Sequence, residues 1–290
     1  MTKAIDMRVR PPYKKMREAS ILRHIATEGH RRDIEKINHH IPVSIPVSAL
    51  AGDMDLFMAE MKEADIEIGV MPLRVYSGLP HVFYDQAEIL ELCNKYPGKF
   101  IAVPQIDPIG LPEYAERDFN RMVQHGPCNT IYMEAGQRIS PVPTDIDDER
   151  LFPWYEKCQN LDVRIIMQVG SCRNTTVHNR VEMMEHILNT FPKLKVCASH
   201  GAWPMTLDYL RLALASPNFV ISPDWYFGIV PGSHDYQDAA NGWLQDSILF
   251  GSSYPLCDMK NAVNMYAKFV NPDVLPKTMY ENAAKFMGLR

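Results

Sequence analysis

Eight short apolar runs, spread along the chain and separated by longer amphipathic segments, constrain the fold more than any other feature of this sequence. They read "AIDMRV", "IEIGVMP", "FIAVPQID", "NTIYMEA", "VRIIMQVG", "LKVCASH", "NFVISPD" and "SILFGSS". Each is rich in β-branched and apolar residues, as strands buried on both faces require. Helical patterns fall between them: "AGDMDLFMAEMKEA", "YDQAEILELCNKY", "LPEYAERDFNRMVQHG", "RLFPWYEKCQN", "TVHNRVEMMEHILNTF", "MTLDYLRLALAS", the weaker "SHDYQDAANGWL", "DMKNAVNMYAKF" and a closing "LPKTMYENAAKFMG". Eight strands alternating with helices predict an α/β protein of the (β/α)₈ TIM-barrel class, and a length of 290 residues suits it. A doubly wound sheet is the alternative. It would leave strands over from a six-stranded core, and the glycine-rich phosphate loop such sheets carry is missing.

Neither a linker, a repeat nor a low-complexity tract interrupts this order, so residues 1–290 read as one domain. The exception to short connections runs over about 11–50, polar and partly helical, inserted after the first strand. In a barrel that position lies over the catalytic mouth. Two readings stay open, a lid and an ordinary packed excursion.

Composition narrows the partners. The chain is 46% hydrophobic and 22% charged, with a formal net charge of -5, which gives no reason to expect nucleic acid or an anionic membrane surface. Cys93, Cys128, Cys158, Cys172, Cys197 and Cys257 lack paired metal-type spacing, and several sit in apolar runs. They read as reduced, buried thiols. The amino terminus lacks the apolar stretch of a signal peptide, and no window reaches the length of a membrane span. The expectation is a cytoplasmic protein without a cofactor, acting on a small molecule, with the oligomeric state left open and a homodimer unsurprising.

Barrel active sites use residues at the carboxyl ends of several strands. Here those ends offer Arg8 and Arg10, Arg74, Gln105 and Asp107, Glu134, Gln168, His200, Asp224, and Ser253 with Tyr254. A pair of guanidinium groups within a ring of polar residues suits an anionic substrate, because the planar donor fork of arginine matches a carboxylate. The structural alternative pairs Arg8 and Arg10 with Asp107 and Glu134. His200 is the candidate general base or acid, against a hydrogen-bonded core histidine. Asp224 and Glu134 are the carboxylates that could orient it or share the proton work. Ser253 lacks the nucleophile-elbow context and reads as a hydrogen-bonding residue. "NHH" at 38–40, His24 and His30 are weak metal candidates, since adjacent histidines on one element point apart.

The runs "LKVCASHGAWP", "ILFGSSYPL" and "YENAAKFMGL" resemble the second amidohydrolase family of (β/α)₈ metal-dependent hydrolases and decarboxylases. The resemblance spans essentially the whole chain and is strongest in the last third. It implies a metal site opening with Ile-Asp-x-His-x-His, continuing with histidines after strands five and six, and closing on Gly-Ser-Asp after strand eight. On that pattern this chain keeps Ile5, Asp6 and His200. It carries Arg8 and Arg10 at the first histidine positions, Gln168 at the strand-five histidine and Ser253 at the aspartate. A protonated guanidinium is not a metal ligand. The resemblance therefore implies a metal-independent relative, in which Arg8 and Arg10 clamp an anion such as a carboxylated lactone. His200 would move the proton with Asp224 or Glu134, and Arg74, Gln168, Ser253 and Tyr254 would position the substrate. A decarboxylase or hydratase, and a non-catalytic anion-binding paralogue, are the alternatives.

Overall fold

The computed structural model describes residues 2–17, 46–74, 85–135, 142, 144–170 and 176–289. Most of the segment at about 11–50 expected as a lid, and with it His24, His30 and the histidines at 39–40, lies outside the described residues. Among the described residues, seven strands are formed in chain order: β1 Ala4–Asp6, β2 Ile66–Pro72, β3 Phe100–Val103, β4 Thr130–Met133, β5 Arg164–Gln168, β6 Val196–Ser199 and β7 Phe219–Ser222. All pairs are parallel, in the orders β1-β2-β3 and β4-β5-β6-β7.

Backbone hydrogen bonds join the two arcs into a ring. Between β3 and β4, Ile106 N donates to Tyr132 O at 2.9 Å and Tyr132 N to Pro104 O at 2.8 Å. The eighth position is filled by an extended stretch around Ile248, joined by single bridges instead of a ladder. Leu249 N donates to Ile221 O at 2.9 Å, and Met7 N donates to Phe250 O at 3.1 Å. Only single bonds form here because Phe250 N donates to Thr278 O and not to β1. The ring is the (β/α)₈ barrel that the eight apolar runs predict.

The described helices are α1 Val47–Ala51, α2 Met54–Glu63, α3 Glu88–Lys95, α4 Pro112–Asp118, α5 Phe152–Asn160, α6 Val181–Thr190, α7 Thr206–Ala215, α8 Tyr226–Ile229, α9 Ser233–Asn241, α10 Met259–Phe269 and α11 Asn282–Met287. Capping fixes several starts. Asp53 accepts from Asp55 N and Leu56 N ahead of α2, and Asp258 accepts from Asn261 N ahead of α10. Apolar stripes such as Met183, Met184, Ile187 and Leu188 on α6 face the strands.

Two apolar layers result. A large one fills the space between strands and helices. A smaller one lies inside the barrel and contains Ile5, Met7, Val70, Val103, Tyr132, Ile166, Cys197 and Leu249. Phe286 and Met287 of α11 join this inner layer and plug the amino end of the barrel. Two bonds hold the plug: Asn129 Nδ2 donates to Met287 O at 3.0 Å, and Arg164 Nε donates to Phe286 O at 3.0 Å. Among the described residues, Cys93, Cys128, Cys158, Cys197 and Cys257 are free thiols, and no helix is long and apolar enough to cross a membrane.

Candidate active site

The first strand reaches the mouth by a slip in its alternation. Ile5 and Met7 belong to the inner layer, yet Val9 belongs to the outer one. Strict alternation would have kept Val9 inside and turned the arginines out. At the slip, Asp6 Oδ1 accepts from Arg8 N at 3.0 Å and from Ser252 N at 2.9 Å. Arg8 and Arg10 are thereby carried to the inner side, where both are almost completely buried.

Arg8 ties together the ends of three strands. Its Nη1 donates to Ser199 Oγ at 2.5 Å and to Asp224 Oδ2 at 3.3 Å, and its Nη2 donates to Gln168 Oε1 at 3.1 Å. Asp224 also accepts from Ser222 Oγ at 2.7 Å, from Ser199 Oγ at 3.3 Å and from His200 N at 3.3 Å. Burial by itself would raise this carboxyl, but the His200 ring, the Arg8 guanidinium and Ser222 outweigh it and hold the pKa down at about 2. His200 Nδ1 lies 3.2 Å from Asp224 Oδ2, although the ring is not aligned for a hydrogen bond. Burial, followed by the nearby Arg8 charge, lowers His200 to about 4 despite the pull of Asp224. At neutral pH the pair is a neutral imidazole against an ionised carboxylate.

A second group stands across the mouth. Arg74 places Nε 2.8 and 3.1 Å from the two oxygens of Glu134, and its Nη2 also donates to Glu134 Oε1. Tyr132 Oη donates to Glu134 Oε1 at 2.6 Å, and Gln105 Nε2 donates to Glu134 Oε2 at 3.3 Å. Burial opposes ionisation of Glu134, but Arg74 and Tyr132 prevail and its pKa is lowered. The Gln168 amide oxygen links the two groups, accepting from Arg8, from Arg74 Nη2 at 2.9 Å and from Tyr132 Oη.

Several buried polar atoms at the mouth have no hydrogen-bond partner among the described residues: Asp6 Oδ2, Arg8 Nε, Arg10 Nε and Nη2, His200 Nδ1 and Ser253 Oγ. Arg10 is 6% exposed. Burial, then repulsion from Arg8 and Arg74, lowers its pKa to about 9, so it keeps its charge at neutral pH. Asp6 is pushed up to about 7 by burial. The backbone is unusual here as well. His200, Asp224 and Ser253 adopt φ of 68°, 57° and 61°, a left-handed conformation that costs a non-glycine residue about 1 kcal/mol or more. Three such residues at the ends of the sixth, seventh and eighth strand positions mark a site the fold holds under strain.

The structure brings together Arg8, Gln168, His200 and Asp224 in one group, and Arg74 with Glu134 in the other. The alternative pairing of Arg8 and Arg10 with Asp107 and Glu134 is not formed: Arg8 takes Asp224, Arg74 takes Glu134, and Asp107 Oδ1 accepts from Gly110 N at 2.8 Å. Tyr254 lies elsewhere. Its ring packs edge-on against Phe57 at 4.9 Å and its hydroxyl is 2.6 Å from Ser48 Oγ, outside the barrel wall. Tyr132, Ser199 and Ser222 were missed by reasoning from strand ends. Tyr132 shares the inward parity of Glu134, and that parity was the available signal. Among the described residues, no three histidine, cysteine, aspartate or glutamate side chains converge as a metal-binding group.

A closed parallel barrel with charged side chains gathered at its carboxyl-end mouth defines the class as a TIM-barrel scaffold of the enzyme-bearing kind. A family model described as amidohydrolase matches residues 52–289, and the chain belongs to the amidohydrolase family. Among solved structures, it is similar to an uncharacterized TIM-barrel protein from Bordetella bronchiseptica, with 29% identity, a TM-score of 0.86, and coverage of 99% of this chain and 98% of the other. It is also similar in fold to 5-carboxyvanillate decarboxylase from Sphingomonas paucimobilis, at 14% identity and a TM-score of 0.64 with both chains fully covered. A third fold relative is a dihydroxybenzoic acid decarboxylase from Polaromonas sp. JS666, solved with bound manganese and the inhibitor 2-nitroresorcinol. It has 15% identity, a TM-score of 0.68, and coverage of 99% and 97%.

Proposed function

We propose that this chain is an amidohydrolase-type enzyme that works without a bound metal ion, opening a lactone or similar acyl bond in a small carboxylated substrate by acid–base chemistry. The observation that carries the reading is the neutral His200 held against ionised Asp224 in a mouth with a surplus cation. A neutral imidazole can accept a proton as a general base, and the Asp224 carboxylate is the group that favours the imidazolium against burial and the Arg8 charge. In the proposed step His200 takes a proton from water as the water oxygen bonds to the acyl carbon. The C–O bond then breaks, and the leaving oxygen takes the proton back from His200. The Ser253 hydroxyl, without a hydrogen-bond partner among the described residues, is the donor for charge developing on the acyl oxygen. Arg8 positions Asp224, while Glu134 and Tyr132 position Arg74 and Gln168.

A divalent metal such as the manganese of the Polaromonas relative needs neutral nitrogen or anionic oxygen donors. The donor set here does not fit one, because guanidinium groups repel a cation and cannot ligate it. Decarboxylation is the less supported reading. A cation-rich mouth stabilises the ground-state carboxylate, which opposes loss of carbon dioxide, and a histidine held neutral is a poor acid for protonating carbon.

The test is ring opening of a panel of carboxylated lactones by chelator-treated enzyme. Turnover should persist after metal removal, stay level down to about pH 5, and fall as His200 is protonated through about 4. His200→Ala should lower kcat by roughly 10²–10⁴-fold. Turnover that returns only with manganese or zinc, or that survives His200→Ala unchanged, would overturn the reading. Carbon dioxide release in place of ring opening would make the enzyme a lyase.

A further inference from the structure

The three guanidinium groups of the mouth differ in how they are used. Arg8 is engaged by Asp224, Ser199 and Gln168. Arg74 presents its Nε–Nη2 edge to the two oxygens of Glu134, the side-on bidentate pairing that a planar carboxylate favours. Arg10 has the same edge, Nε and Nη2, without a hydrogen-bond partner among the described residues, on a side chain 6% exposed. A buried charged donor left unsatisfied pays its full desolvation penalty. Such an edge is retained where something else fills it.

We infer that the Nε–Nη2 edge of Arg10 is a subsite for one carboxylate of the substrate, and that Arg10 alone, not the Arg8–Arg10 pair, is the anion clamp. This rests on the reading of the mouth as the active site and deepens it by naming the group that is bound. The Arg74–Glu134 pair is an internal example of the same contact in the same mouth. Charge fits as well. Among the described residues, Arg8, Arg10 and Arg74 face the ionised carboxylates Asp224 and Glu134, and one further negative charge balances them. Asp6, pushed up to about 7, adds a partial charge at most. A planar monoanion satisfies both the geometry and the balance. Arg8 has a different duty: it fixes Asp224 against His200 and ties three strand ends together.

Acetate is the minimal probe and acetamide its neutral isostere. Thermal unfolding of the full chain is measured with sodium acetate against sodium chloride at equal ionic strength. A ligand that binds only the folded state raises Tm in proportion to ln(1 + [L]/Kd). Acetate should raise the wild-type Tm and acetamide should not. Arg10→Gln should weaken acetate binding roughly 10- to 100-fold, the range of a lost charge-assisted hydrogen bond. Arg10→Lys, which keeps the charge without the fork, should retain a reduced shift, and His200→Ala should retain the full one. An acetate shift undiminished in Arg10→Gln, or no acetate shift in the wild type, would overturn the clamp. The two readings fail separately. Metal-dependent turnover with an Arg10-dependent acetate shift removes the acid–base proposal and leaves the clamp. An Arg10-independent shift with His200-dependent turnover removes only the clamp.

Discussion

The two ends of this barrel solve the burial of polar groups in opposite ways. At the amino end, α11 drops Phe286 and Met287 into the inner apolar layer, and the Arg164 guanidinium beside them donates to Phe286 O and Asp162 O. At the carboxyl end, Arg10, Ser253, Asp6 and His200 each keep a buried atom without a hydrogen-bond partner among the described residues. The floor is arranged for stability. The mouth holds unsatisfied charge and left-handed backbone, the pattern expected where binding or catalysis completes the site.

The largest effects should separate the ends most cleanly. Phe286→Ala removes a buried ring from the floor and should cost about 3–5 kcal/mol in urea unfolding, with the acetate affinity of the folded protein unchanged. Arg8→Ala should cost a similar 3–5 kcal/mol by stranding Asp224 as an unpaired buried charge, and should cripple turnover as well. If Phe286→Ala weakened acetate binding as much as Arg8→Ala lowered stability, the division between ends would collapse.

Asp6→Asn tests the mouth by pH. The Asp6 carboxyl holds its proton in the fold up to about 7, against 3.8 unfolded, so the native state binds more protons across that window. Stability from this group therefore falls as pH rises from about 4 to 7. His200, lowered to about 4 from 6.5, works the other way, adding stability as pH rises across about 4 to 6.5. The wild-type profile should be flattened by this opposition. Asp6→Asn keeps the acceptor for Arg8 N and Ser252 N, so its stability should climb relative to wild type by roughly 2 kcal/mol between pH 5 and 7. Parallel profiles would show that Asp6 is not the strained acid of the site.

Arg10→Met sharpens the contrast further. Replacing an unpaired buried cation with a flexible apolar chain should raise stability by about 1–2 kcal/mol in carboxylate-free buffer, while acetate binding disappears. Ser253→Ala should be smallest, within about 0.5 kcal/mol by urea unfolding, because its hydroxyl has no partner to lose.

Much of this is legible in the sequence. Eight apolar runs fix eight strand positions, and counting to their carboxyl ends finds Arg8, Gln168, His200 and Asp224, which do meet. The slip in the first strand was not legible. Alternation from Ile5 puts Met7 and Val9 inside, and only the Asp6 side chain, bonding Arg8 N, reverses the parity. Tyr254 misleads for a related reason, since a residue just past a strand end can face either way, and Phe57 and Ser48 draw it outward. The Arg74–Glu134 pair joins β2 to β4, a partnership set by barrel curvature and invisible to spacing. Tyr132 hides inside an apolar run because its ring belongs to the inner layer while only its hydroxyl reaches the site.

The ring closure has a temporal consequence. β1 is made first, but one of its neighbours is the stretch around Phe250, and Arg8 finds its partners at 168, 199 and 224. A growing chain thus carries two arginines for most of its synthesis with no place to put them. Contacts spanning so much sequence form late, after long loop closures have been made. The charged mouth therefore completes late, and a chain that stops before residue 224 lacks the carboxylate that Arg8 pairs with.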